Sequence, residues 1–226
     1  MTWPKVLTQD RLRLTITFDP VKLKPMKHFL LSLFALLLSF SFTPQAIAVL
    51  SPVGLSIVPP VQFPPSDYDI TGLRISAIYG QHREIYGIDL GLVGNITEQE
   101  FTGLALSGVF NMTNGETHIL GLQAAGITNI NYNKVTVVGL QFAGGMNVNT
   151  AESTVYGLQA ALLANLSEHT TINGVQFGLY NKAQKVRGFQ IGLINDAVSL
   201  SGLQIGLLNI HRQGLFYMSP IINFGF

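Results

Sequence analysis

The 226-residue sequence predicts an all-β fold, and more finely a repeat-built antiparallel up-and-down β-barrel of about 10 strands. Three observations lead there. The stretch Gly202-Leu203-Gln204-Ile205-Gly206-Leu207-Leu208-Asn209 recurs as weaker copies that begin at Gly188, Gly174, Gly157, Gly139, Gly121, Gly103, Gly87 and Gly72, spaced 14 to 18 residues apart. Within each copy the residues alternate, Leu203, Ile205 and Leu207 on one face against Gly202, Gln204 and Gly206 on the other, which is the two-residue period of a strand. From Val49 onward there are seven Lys or Arg against ten Asp or Glu, a formal charge of −3 and a charged fraction well under the roughly one quarter of ordinary soluble domains.

The start of the chain stands apart from the repeat. Residues 1–25 have mixed charge and no copy of the unit, and are read as an over-extended N-terminus with Met26 as the true initiator. Met26-Lys27-His28, the apolar run Phe29 to Phe42 and the small-x-small pair Ala46 and Ala48 make residues 26–48 a signal peptide, too short to span a bilayer comfortably. Export is therefore expected. Residues 49–68 carry five Pro and form a lead segment in which only an edge strand or a cap at the end of the sheet fits. Residues 69–226 then run as one β-repeat domain without a boundary.

Connections between the copies read as short polar loops, with Asn114-Gly115 as the strongest hairpin signal among them. Strands of nine to ten residues with such loops suit an outer-membrane barrel. The Leu/Ile face would then meet lipid, and the interior would hold Gln123, Gln141, Gln159, Gln176, Gln190 and Gln204 between small residues. Arg74 and Asp89 occupy the Gln position in their copies and would neutralise each other across the first hairpin. Tyr79, Tyr86, Phe110 and Tyr156 suit an interfacial girdle. The rival architecture is a parallel β-solenoid with 14 to 18 residues per coil. A duplicated single-strand unit keeps its direction in a solenoid and must flip at every step in a barrel.

The last thirteen residues, Gly214 to Phe226, alternate an apolar face (Phe216, Met218, Pro220, Ile222, Phe224, Phe226) with a small polar one. A strand of this kind closing on a terminal Phe resembles the final strand of bacterial outer-membrane barrels. That likeness implies Phe224 and Phe226 as an assembly signal for the barrel-assembly machinery. The repeat with this ending also resembles a family of exported bacterial envelope proteins built from GLQIGLxN units and finishing in a Pro-x-x-Asn-x-x-Phe strand, over roughly residues 52–226. The resemblance implies an envelope location and a repeat-built β fold, and it carries no functional residues. Copies at Gly72 and Gly103 depart from the pattern by lacking the Gln.

Chemistry-bearing constellations are sparse. His82, His118, His169 and His211 stand singly near connections, none at metal-ligand spacing with another. No nucleophile elbow, P-loop, dinucleotide fingerprint or HExxH occurs. Ser76 and Ser107 with His82 and His118 are the nearest approach to a lipid-modifying site, and no spacing joins them. Asn95, Asn111 and Asn165 sit in Asn-x-Ser/Thr sequons that are chance matches in a bacterial envelope, and read as strand-end and turn residues. The absence of Cys excludes a disulfide framework and thiolate metal sites. No basic patch remains for nucleic acid. The expectation is a non-enzymatic envelope protein of the bacterial outer membrane, without cofactor or small-molecule ligand, whose partner is lipid. The alternative is an exported solenoid acting as an interaction surface at the periplasm or cell surface, and a narrow pore is a third possibility.

Overall fold

A computed structural model describes residues 49–226, so the expectations for residues 1–25 and for the signal peptide at 26–48 lie outside the described residues. Within them the chain is all β. The lead segment holds β1 (Leu50–Val58) and β2 (Val61–Phe63), followed by β3 (Asp69–Ser76), β4 (Tyr79–Gly91) and β5 (Gly94–Ser107). Four-residue and nine-residue strands then alternate: β6 (Phe110–Thr113), β7 (Thr117–Ala125), β8 (Thr128–Asn131), β9 (Val135–Ala143), β10 (Met146–Asn149) and β11 (Ser153–Ala161). Longer strands finish the chain: β12 (Ala164–Phe177), β13 (Tyr180–Ile191), β14 (Ile194–His211) and β15 (Met218–Gly225).

Successive copies pair in parallel, which overturns the antiparallel barrel and supports the solenoid. Gly139, Leu140 and Gln141 of β9 lie beside Gly157, Leu158 and Gln159 of β11, which lie beside Gly174, Val175 and Gln176 of β12. Each copy is thus one coil, and the nine copies stack as nine coils, about 40 Å long at the usual strand spacing. The misreading has a physical source. The tail of each unit is not a loop but a second strand, such as Met146–Asn149, which pairs in parallel with Thr128–Asn131 below it and carries the chain back round. Asn114-Gly115 is accordingly a corner between β6 and β7 inside one coil, not a hairpin.

Glycine at the head of the unit follows from the stacking. Gly157 has φ +130°, and a Cβ there would come within 2.1 Å of the carbonyl oxygen of Gly139 in the preceding coil. Eight head glycines, from Gly87 to Gly202, share a positive φ. Just before each of them an aliphatic or aromatic side chain turns inward. The resulting column, which includes Ile85, Phe101, Ile119, Val137, Val155 and Ile172, is almost wholly excluded from water. Each such residue contributes about 1.5–3 kcal/mol of burial free energy.

Both ends of the stack are closed by antiparallel pairing. Strand β1, despite Pro52, pairs in parallel with β3 and antiparallel with β2, so the Pro-rich segment is the lead coil. At the other end β15 folds back on β14, with Asn223 beside Gln204 and Phe224 beside Leu203. These strands cover edges that would otherwise template pairing with another chain. Phe224 and Phe226 are exposed on this cap. Their reading as an assembly signal depended on a barrel, and the solenoid gives it no basis.

Candidate interaction surface

The coil interior is polar in an organised way. Gln123, Gln141, Gln159, Gln176, Gln190 and Gln204 are all buried, at most 1 % exposed. From Gln141 on, each Nε2 donates to the Oε1 of the preceding copy at 2.7–2.8 Å. A second column, not anticipated as such, is made by the Asn that closes each unit. Asn95, Asn111, Asn129, Asn147, Asn165, Asn181, Asn195 and Asn209 are buried, and from Asn95 to Asn195 each donates through Nδ2 to the Oδ1 of the following copy at 2.8–3.0 Å. The signal was present, since these Asn recur with the same period as the Gln. Reading them as turn residues hid the column.

The two columns run in opposite senses. Gln side chains donate toward the N-terminus and Asn side chains toward the C-terminus, so each column ends on an acceptor with no later donor. Gln204 Oε1 and Asn95 Oδ1 are the two ends, and both are buried without a hydrogen-bond partner. With the interior filled by these amides and aliphatics, a pore has no lumen to use.

In the first two copies charge stands where the later ones have Gln, and in the third Ala105 does. Arg74 and Asp89 are side by side on parallel strands, not across a hairpin, and both are buried. The pair is bidentate, Nε to Oδ1 at 2.8 Å and Nη2 to Oδ2 at 2.7 Å. Arg74 Nη1 donates to the Ile96 carbonyl at 2.9 Å and faces His82 Nδ1 at 3.3 Å. His82 Nε2 donates to the Pro64 carbonyl at 3.1 Å. Burial, with the Arg74 charge second, pushes the His82 pKa down to about 4, so the ring is neutral and accepts from the guanidinium. Its two nitrogens are occupied, and neither is bonded to Ser76, whose buried Oγ has no partner. His118 is half exposed near Glu116, and the two Ser/His pairs are not assembled into a site. No cluster of metal-ligating side chains occurs among the described residues.

The outward residues of the unit form the surface of interest. Leu140 and Phe142 on β9 and their counterparts on neighbouring coils, Ile88, Phe177 and Phe189 among them, project away from the core and are exposed. The chain then passes through a two-residue turn before the short strand. The eight turns are 77–78, 92–93, 108–109, 126–127, 144–145, 162–163, 178–179 and 192–193, and the matching residues 206–207 of the last copy lie within β14. Every residue in them is Gly, Ala, Val, Ile or Leu. Leu92 is 74 % exposed and Leu207 71 %. Beyond the turn the first outward position of the short strand is again uncharged, as Phe110, Thr128, Met146, Ala164, Tyr180 and Ile194 show.

An apolar band therefore wraps one edge of the solenoid onto both adjoining faces. No Asp, Glu, Lys or Arg lies in it. Apart from the buried Arg74–Asp89 pair, the charges sit elsewhere on the coils. At the corner between short and long strands Glu116 meets Lys134 at 3.0 Å, and Glu168 meets Lys182 at the same distance. Of the aromatics expected in a girdle, Tyr79 and Phe110 lie in the band, while Tyr86 and Tyr156 stand two residues before its long-strand columns. Comparison with family models, with curated proteins and with solved structures finds no match to this chain.

Proposed function

We propose that this protein is an exported, non-enzymatic β-solenoid of the bacterial envelope that acts as an interaction surface. The observation that carries the reading is the uncharged band along one edge. Contiguous exposed apolar patches beyond a few hundred Å² are uncommon on monomeric soluble proteins and mark binding surfaces. Support also comes from the interior, whose amide columns hold the coils in register and so present the band as a rigid surface. The signal-peptide reading of residues 26–48 supports export.

Accessibility inside the cell tests this. Because the sequence has no Cys, single cysteines can be placed at Leu193 in the band and at Lys134 on the polar corner. Labelling of isolated envelopes with a charged maleimide should modify the residue at 134 and spare the one at 193. Equal labelling at both positions would mean that nothing covers the band, and the reading would fail.

A further inference from the structure

We propose that the apolar edge inserts into the acyl-chain region of a lipid leaflet, seating the solenoid on a membrane without crossing it; this rests on the interaction-surface reading above. The first argument is shape. The band occupies two faces and the turn between them, so one flat partner or a second copy stacked on one face would leave the other face and Leu92, Leu162 or Leu207 in water. A hydrocarbon phase closes around a wedge from both sides.

The second argument is the backbone at the edge. Ordinary exposed turns rely on water for their peptide groups, and hydrocarbon supplies none. Here the second peptide of the turn bonds from coil to coil, leaving first-residue carbonyls such as those of Leu92, Gly108 and Gly126 as the groups without a backbone donor. Ile127 N–H donates to the Val109 carbonyl at 2.9 Å, Gly145 to Ile127 at 2.8 Å and Leu163 to Gly145 at 3.0 Å. Leu193 likewise donates to Leu179 at 2.9 Å. In every turn from 77–78 to 192–193 the carbonyl of the second residue accepts such a bond. Turn side chains add no polar atom that needs hydration.

The third argument is how the band ends. Tyr86 lies at its margin with its hydroxyl donating to Glu84 at 2.9 Å, so ring and charge meet at the boundary between greasy and wet surface. Without a charge in the band, attachment comes from apolar burial, as in interfacial helices whose apolar face sits about 5–10 Å into the headgroup and acyl boundary.

Flotation of the purified chain from Val49 to Phe226 with extruded vesicles tests the inference. Binding is expected to vesicles of phosphatidylcholine alone as well as to mixtures of phosphatidylethanolamine and phosphatidylglycerol, and to survive 1 M salt. A nitrobenzoxadiazole label at Leu193→Cys should brighten several-fold on vesicle addition, and the same label at Lys134→Cys should not change. Leu162→Lys with Leu193→Lys should weaken binding at least ten-fold while circular dichroism stays that of the parent. Three results would overturn the proposal: no flotation of a folded chain, flotation only with anionic lipid at low salt, or a label at 193 that is shielded by dimerisation without lipid. If the band is covered in envelopes while the purified chain ignores vesicles, the interaction-surface reading stands and its occupant is a protein.

Discussion

The coils before and after Gly121 have the same backbone ladder and different interiors. From Gln123 to Gln204 every coil places the same amide above the last, and from Gln141 on each Nε2 finds its acceptor by simple translation. Before it the same column reads Arg74, Asp89 and Ala105, a closed ion pair followed by a side chain that bonds to nothing. At the seam the register between β5 and β7 shifts between Gly103 and Ala105. The difference teaches that a stacked fold does not need a particular side chain inside, only one whose polar atoms are answered by its neighbour. An amide column is answered by extension, an ion pair by closure.

Glycine substitution should break the comparison most sharply. Gly157→Ala drives a Cβ into the Gly139 carbonyl at a positive φ, whereas at Gly121, φ +107°, a Cβ meets nothing within 4 Å. Gly157→Ala is expected to cost more than about 4 kcal/mol and Gly121→Ala about 1–3 kcal/mol, from strain alone. Urea unfolding of both variants checks this, and equal losses would refute the regular-stack account. Next comes the ion pair. Arg74→Gln leaves Asp89 buried without a partner and should cost about 3–5 kcal/mol, while Arg74→Gln combined with Asp89→Gln should recover most of it. A double-mutant cycle measures that recovery.

Acid should weaken the early coils through His82, and His211 in the last coil, whose pKa burial also lowers, adds a loss of the same sign. His82 is held neutral in the fold by a pKa lowered from 6.5 to about 4, so the unfolded chain binds a proton that the folded one refuses. Stability from this group is therefore complete above pH 6.5 and is lost as pH falls from there toward 4, by a total on the order of 3 kcal/mol. Melting temperature against pH should drop in that window, and His82→Asn should flatten the drop. The smallest effect is expected from cutting the amide column. Gln159→Leu removes the 2.7 Å bonds to Gln141 Oε1 and from Gln176 Nε2, leaving each only its longer bond, to Asn149 Nδ2 at 3.3 Å and to the Lys182 carbonyl at 3.4 Å, at about 1–3 kcal/mol in all. Thermal unfolding of this variant beside Gln159→Asn shows whether a shorter amide can bridge the gap.

Much of this was legible in the residues. The period of the unit, its two-residue alternation and the separation of Leu from Gln all follow from local sequence, and the Leu-type residues do point outward. Strand direction was not legible, because Leu203 alternates with Gln204 in the same way whether its neighbour runs up or down. The tails Met146–Asn149 and Thr128–Asn131 were too short, and too rich in Asn, to register as strands by propensity. Their partners lie one full coil away, where no local pattern reaches. His82 looked like a loop residue for a similar reason: what buries it is Pro64 and Arg74, brought in from two other parts of the chain.

The opposed senses of the Gln and Asn columns reach beyond the core. Side-chain dipoles that all pointed one way would sum along the axis and leave each end of the rod with a charge-like pole. Two counter-running files, seven Asn bonds against five Gln bonds, largely offset each other and leave one bare carbonyl at the end of each file, Asn95 and Gln204, however many turns lie between. Adding or removing a complete turn, such as residues 146–163, leaves that terminal penalty untouched. Length is thereby a nearly free variable, and a lineage of such rods can be trimmed or lengthened by whole units to match the span it must cover.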